Sequence, residues 1–357
     1  MGKINFRICA ECFTDKYISE VIFNNKNPFT GKCDACGSDS KLVADSENFV
    51  DEFEQLLEMY TDSIDEDVAA NALSIADRLK EDWGLFSNKS PITVETILER
   101  ITGDSFSGKK FIVDGDINSQ PVSSIWSDFK EKIKHENRWF FEKPFDDSVM
   151  KNLFTLLLEE RLVNSEWYRS RIHDEDCILQ PSEMGPPPSS VSTHGRANPA
   201  GISYLYVASD IATAISETRP HPGQYASIAK IKFRNIGNNF VDLRNPVDDL
   251  SPFGIMDTVE NADLKDYYLS AKLLEVFSAE LNLPIVPSKS GFDYTPTQYI
   301  CEFIKSLNYD GVIYKSSLGD GTGFNLVSFK SADDEYVIEQ TMLHNVGSVK
   351  VQSKMID

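Results

Sequence analysis

No run of 18 apolar residues occurs in the 357-residue sequence, and no basic-then-apolar leader opens it. Neither a membrane span nor an export signal is predicted, and the expectation is a cytoplasmic chain. Basic residues are scarce: 35 Lys and Arg stand against 56 Asp and Glu, a net charge of -21. Broad, nonspecific nucleic-acid binding relies on clustered basic side chains, so this balance argues against it. A local basic pocket for a small anion remains compatible with it. Six cysteines are too few to scaffold a chain of this length with disulfides. What is plentiful is core material: 41% hydrophobic residues, enough for two or three folded domains.

Four of the cysteines form two pairs, Cys9-x-x-Cys12 and Cys33-x-x-Cys36, separated by 20 residues. Two such knuckles let four thiolates close tetrahedrally around Zn2+, a closed structural site with no open catalytic position. Redox pairs or four unrelated buried cysteines are the alternatives. The apolar residues between the knuckles, Tyr17, Ile18, Val21, Ile22 and Phe23, suffice for one small hairpin. Cys177 and Cys301 are isolated and read as a surface or small apolar residue.

From Ser46 the pattern turns helical. Phe49, Val50, Phe53, Leu56, Leu57 and Tyr60 recur at three- and four-residue spacing, and Val68 to Leu79 repeats it up to Trp83-Gly84. Pro91 to Ile101, Ser127 to Phe140 and Asp146 to Glu160 read as further helices, so an all-α segment is expected, with Lys109 to Asp116 as one short strand. His135 precedes Arg138 on a charged stretch, the wrong order for a helical-bundle nuclease, and a solvated face is the better reading.

Beyond Asn164 strands and helices alternate. Glu166 to Ile172 reads as a strand with Arg169 and Arg171 on one face, and Met184 to Ser190 as a stiff extended loop. Gly195 to Gly201 carries turn chemistry, Ser203 to Ala208 alternates as a strand, and Asp210 can cap a short helix ending near Glu217 and Arg219. Tyr225 to Phe233 and Phe240 to Leu243 read as strands, Ala262 to Leu281 and Thr297 to Leu307 as helices. Gly311 to Tyr314 and Asn325 to Phe329 are strands around a Gly-rich loop. That loop is a weak phosphate signal, since it opens no clear helix. An arginine in a turn, a tyrosine on the next strand, a glutamate after the next helix and a serine at a strand end can converge on one cleft. Singly, each has a bland reading: surface ion pair, core tyrosine, solvated helix end, turn residue. Nothing in the sequence places His173, His194 or His221 there.

Tyr168-Arg169-x-Arg171, Gly195-Arg196-x-Asn198-Pro199, Leu205-Tyr206-x-Ala208-Ser209, Thr213-Ala214-x-x-x-Glu217, Thr297-Gln298 and Gly311-x-x-Tyr314-x-Ser316 resemble the RES-domain family over residues 160 to 335. The N-terminal part is similar, with less specific motifs, to the HEPN/RES N-terminal domain. The resemblance implies an α+β chain. A zinc ribbon over 1–45 and an all-α domain over 46–160 precede a C-terminal ADP-ribosyltransferase-like mixed β-sheet domain over 161–357. It implies an NAD+-degrading toxin or defence effector, with Arg196, Tyr206, Glu217 and Ser316 as catalytic residues. Arg169 or Arg171, Asn198, Gln298 and Ser317 are the implied substrate-binding residues. The family often has Tyr-Pro-Ser where this chain has Tyr314-Lys315-Ser316, which leaves Ser317 open as a substitute. Implied partners are NAD+, inorganic phosphate as an acceptor, and an inhibitor or antitoxin protein; homo-oligomerisation stays open. The competing readings are an ADP-ribosyltransferase acting on a macromolecule and a catalytically silent binding module.

Overall fold

The computed structural model describes residues 6–62, 72–113, 122–159, 165–234, 239–284, 290–318, 321–330 and 335–349. The chain divides into two compact units. The first comprises Met1–Ile125, Phe145–Leu156 and Pro246–Leu273; the second comprises Trp126–Pro144, Leu157–Asn245 and Leu274–Asp357. Elements are numbered in chain order.

In the first unit, β1 (Arg7–Cys9), β2 (Phe29–Gly31) and β3 (Lys41–Asp45) form an antiparallel sheet in the order β1-β3-β2. Between the cysteine pairs the chain is helical, not the expected hairpin: a π-helical turn over Tyr17–Ile22 runs into α1 (Phe23–Asn25). Ile18 and Phe23 are buried there, one helical face apart, and no Gly or Pro interrupts the run to turn it back. The hairpin comes later, as β2 and β3.

Helices α2 (Val50–Leu57), α3 (Ile75–Asp82), α4 (Val94–Thr102) and α6 (Asp147–Leu156) fall on the segments whose periodicity predicts helix, whereas α8 (Pro246–Asp249) and α9 (Pro252–Thr258) lie where the sequence pattern predicts none. Val68 and Glu160 lie outside the described residues, but both helices are shorter than expected: α3 begins only at Ile75, after Leu73 bridges Phe111, and α6 stops at Leu156, before Leu158 bridges Val241. Ser74 and Thr93 cap α3 and α4 by accepting from the amides of Asp77 and Thr96, and Gly103 ends α4 at φ +82°. The region is not all-α, because β4 (Tyr60–Asp62) pairs with β5 (Phe111–Val113). Phe13, Phe49, Phe53 and Phe86 pack ring to ring at 5.5 to 6.4 Å between centroids.

The second unit holds most of α5 (Val122–Glu131) and a seven-stranded mixed sheet in the order β12-β8-β6-β7-β11-β10-β9. Its strands are β6 (Trp167–His173), β7 (Leu205–Ala208), β8 (Tyr225–Phe233), β9 (Phe240–Asp242), β10 (Gly311–Lys315), β11 (Phe324–Ser328) and β12 (Tyr336–Asn345). Among the described pairings of this sheet, only β9 and β10 run parallel. The alternation did not signal β12, whose half-exposed residues and bulge after Ile338 blur a two-residue period. The Met184 loop is flanked by 3-10 turns at Pro181–Glu183 and Ser189–Val191.

One face of this sheet buries Trp167, Leu205, Val207, Ile231, Phe240 and Leu326. On the other, Ala226 and Ile228 meet Ile211 and Ile215 of α7 (Ile211–Glu217). Helices α11 (Ser290–Asp293) and α12 (Thr295–Ser306) also belong to this unit; α10 (Leu264–Asn282) begins in the first unit and ends in the second. β6 pairs with β8 along its whole length but with β7 only at Tyr168 and Ala208. The sheet therefore parts between β6 and β7.

Buried charge fixes one spot of the first unit. Asp82, 5% exposed, ion-pairs with Arg78 at 3.0 Å and accepts from the hydroxyls of Tyr60 (3.1 Å) and Tyr268 (3.0 Å). Burial raises the Asp82 carboxyl, opposed by Arg78, so the partners and not solvation hold the charge. Asp82→Ala leaves Arg78 buried and uncompensated; a loss of about 3 to 5 kcal/mol in urea unfolding is expected. A loss under about 1 kcal/mol would show the pair to be dispensable.

Candidate active site

Where β6 and β7 part, a cavity of about 350 Å3 opens, lined wholly by residues of the second unit. Arg169 reaches across the gap, its Nη1 donating to the Tyr206 carbonyl at 2.8 Å. Among the described residues its Nε has no partner. Burial, with Arg171 second, pushes this guanidinium down to about 10, so it is still charged at neutral pH. Arg171 points elsewhere, donating to Gly185 at 2.8 Å, and does not line the cavity. The structure thus separates the two arginines that the strand pattern left equivalent.

Helix α7 delivers the carboxylate. Asp210 caps it, accepting from the Thr213 amide at 2.8 Å and the Thr213 hydroxyl at 2.7 Å. Seven residues on, Glu217 lines the cavity. Its Oε1 accepts from Ser316 Oγ and from Asn325 Nδ2, each at 2.7 Å. Among the described residues no hydrogen bond takes Oε2. Ser316 is placed by its own amide, which donates to Gly323 at 3.0 Å. Gly323 must be glycine, since a Cβ there would overlap the Thr213 hydroxyl at the start of α7. The Gly-rich loop is thus a close-approach device joining strand to helix.

The turn before β7 supplies Arg196 and fixes Tyr206. The Tyr206 hydroxyl donates to Asn198 Oδ1 at 2.6 Å and accepts from the Ala197 amide at 3.0 Å, and burial raises its phenol well above the ordinary range. Gly195 leaves no room for a Cβ beside those two groups. Asn198, 3% exposed, spends its amide nitrogen on the carbonyls of Thr193, Pro199 and Ile202. It shapes the turn and does not line the cavity. Arg196 does, with Nη1 on the carbonyls of Leu281 and Leu283 (both 2.6 Å) and its guanidinium 5.7 Å from the Tyr294 ring centre.

Arg196, Tyr206, Glu217 and Arg169 therefore share one cleft, and Ser316 enters it through Glu217. Gln298 supports the turn from behind, donating to Gly195 and Asn198 at 2.8 and 2.9 Å. Ser317 and His221 are exposed and off the cavity; His173, half-buried with its Nε2 2.9 Å from Ser227 Oγ, is off it too. Sequence reasoning missed Asn325, Tyr294 and Arg219 as lining residues. Asn325 sits in an apolar strand, where a polar residue 5% exposed was a usable signal. The cleft can hold an anion on arginines and offer one free carboxylate oxygen beside aromatic walls.

The cysteines converge separately. The four Sγ atoms of Cys9, Cys12, Cys33 and Cys36 lie within 4.8 Å of one another, with neighbours 3.6 to 3.7 Å apart. Sulfurs at zinc's usual bond length around a tetrahedron stand about 3.8 Å apart, so this donor set fits Zn2+.

Tyr206→Phe removes the one group satisfying both Asn198 Oδ1 and the Ala197 amide. A stability loss of about 1 to 3 kcal/mol in denaturant melts is expected; an unchanged midpoint would mean the turn holds without it.

A family model described as RES domain matches residues 166–344, half the chain. No curated protein matches. Among solved structures, the crystal structure of the M. tuberculosis MbcT-MbcA toxin-antitoxin complex is similar at 12% identity, covering 56% of this chain and 93% of that chain with a TM-score of 0.31. No helix among the described residues is long and apolar enough to cross a membrane. With these motifs folded into one cleft and the model spanning it from β6 to β12, the chain belongs to the RES domain family.

Proposed function

We propose that the cleft cleaves the nicotinamide–ribose bond of NAD+, and that the chain acts as a toxin or defence effector. The observation that carries this reading is the Glu217 carboxylate, fixed through one oxygen by Ser316 and Asn325 with the other uncommitted, in a cavity that also holds Arg169 and Arg196. Nicotinamide leaves as a neutral molecule from a cationic ring, so the bond needs little acid catalysis. Positive charge gathers on the ribose instead, as in other glycosyl transfers. Glu217 stabilises that charge through the uncommitted oxygen and accepts from a ribose hydroxyl. Arg169 and Arg196 take the pyrophosphate oxygens through N–H groups that the backbone carbonyls leave unused. Tyr206 and Tyr294 bound the planar base.

Water or inorganic phosphate completes the reaction at the anomeric carbon. Mass spectrometry of products separates the acceptors. Water gives nicotinamide and ADP-ribose, phosphate gives nicotinamide and ADP-ribose 1″-phosphate, and a macromolecular acceptor becomes ADP-ribosylated. Either of the first two outcomes is expected from purified protein with NAD+. Label appearing only on protein or nucleic acid would establish the transferase reading instead, and NAD+ binding without turnover a silent module.

Under the same reading, the ribbon over 1–45 and the helical segment over 46–160 restrain or recruit the domain over 161–357, and an antitoxin-type protein inhibits it. Cys9, Cys12, Cys33 and Cys36 would hold Zn2+ as a structural ion that ties the two knuckles together. One zinc per chain is expected by elemental analysis, and chelation should lower the melting temperature of the ribbon. Cys33→Ser retaining a full equivalent of tightly bound zinc would contradict the site.

A further inference from the structure

A second cavity of about 320 Å3 also lies within the second unit, and no residue lines both it and the cleft. One wall is a single face of α12: Thr295, Gln298, Tyr299, Glu302 and Ser306 follow helical spacing. The facing wall comes from the stretch after α5, with Arg138, Trp139 and Lys143, which precedes the family match. His194 and Pro199, flanking the Arg196 turn, close one end.

Three independent features point to a ligand. First, α12 is 12 residues long and begins with no side-chain cap and no acidic residue in its first turn, the nearest carboxylate in sequence, Asp293, being paired with Lys134, and His194 and Arg138 line the same cavity. Second, Gln298 is only 8% exposed; its Nε2 serves Gly195 and Asn198, while among the described residues its Oε1 accepts nothing. Third, Trp139 is 71% exposed at the rim, an indole surface without cover, near Tyr299 and Phe303. In a chain of net charge -21 this cavity sets three basic side chains against Glu302.

We propose that the cavity binds a planar aromatic anion of nucleoside-monophosphate size, whose occupancy tunes the Arg196 turn. The anion meets the α12 N-terminus and the basic rim. The base stacks on the exposed indole, and an exocyclic amine donates to Gln298 Oε1. The volume is near the lower end for ligand sites, which suits one nucleotide and excludes a chain. Coupling runs through α12 itself, because Gln298 and Thr297 hold the carbonyls of Gly195, Asn198 and Arg196. The binding stands on the cavity alone; its consequence for turnover rests on the function proposed above.

AMP titrated against the full chain, read by tryptophan emission, tests this. Trp83, Trp126 and Trp167 are at most 5% exposed, so quenching on a surface indole reports Trp139. Saturable quenching by AMP is expected, with adenosine or inorganic phosphate at least tenfold weaker. Arg138→Glu, on an exposed side chain, should weaken AMP at least fivefold, while Glu217→Gln leaves it unchanged. AMP should also alter nicotinamide release in the parent more than in Arg138→Glu. No saturable quenching, or quenching lost in Glu217→Gln and kept in Arg138→Glu, overturns the site. Quenching with unchanged nicotinamide release removes the coupling to the turn. A chain that cleaves no NAD+ still reports the binding, so the two readings fail separately.

Discussion

One carboxylate held by two neutral donors organises the second unit. Glu217 needs the end of α7, Ser316 needs the end of β10, and Asn325 needs β11 next to β7. These residues span more than a hundred positions of sequence, so their meeting constrains strand order and loop shape together. Neutral donors stabilise the charged carboxylate without neutralising it, whereas an arginine in their place would compete for it with a cationic transition state. That choice suits the role proposed for Glu217 opposite a developing positive charge.

The same economy of contact explains the glycines and the arginines. Gly323 lets the loop before β11 pass against Thr213, and Gly195 lets the turn press on Tyr206 and Asn198. Arg169 bridges the gap where β6 leaves β7, occupying a carbonyl that the parted strands do not share. Arg196 leans on the carbonyls at the end of α10, which favour a cation. Each group is fixed by backbone rather than by other charges, and a cleft in a strongly acidic chain thereby stays receptive to an anion.

Much of this was legible in order along the chain. Tyr225 to Phe233 reads as an alternating strand and is strand β8 residue for residue, with Lys230 and Lys232 partly exposed between the buried Ala229, Ile231 and Phe233, while Ala226 to Ala229 are buried on both faces. Asp210 announced α7, and the cysteine spacing announced the cluster. Other features needed three dimensions. Arg169 and Arg171 share a strand face, and only the parting of the sheet separates their roles. Asn198 and Gln298 carry motif positions yet spend their amides on the turn, a distinction that spacing does not encode. The apolar run at Tyr17 to Phe23 is too short for period to tell strand from helix, and burial of Ile18 and Phe23 decided it. Asn325 is one polar residue in an apolar strand, visible in sequence but assigned a purpose only by Glu217.

The most direct measurement is the rate of nicotinamide release from NAD+ by the parent, Glu217→Gln and Asn325→Ala, each checked for folding. The account predicts that Glu217→Gln slows release by about 10² to 10³, the loss of one preorganised electrostatic group. Asn325→Ala should slow it less, since Ser316 still holds Oε1. Equal rates for the parent and Glu217→Gln would contradict the account, because the carboxylate on which the cleft is built would then have no part in the reaction.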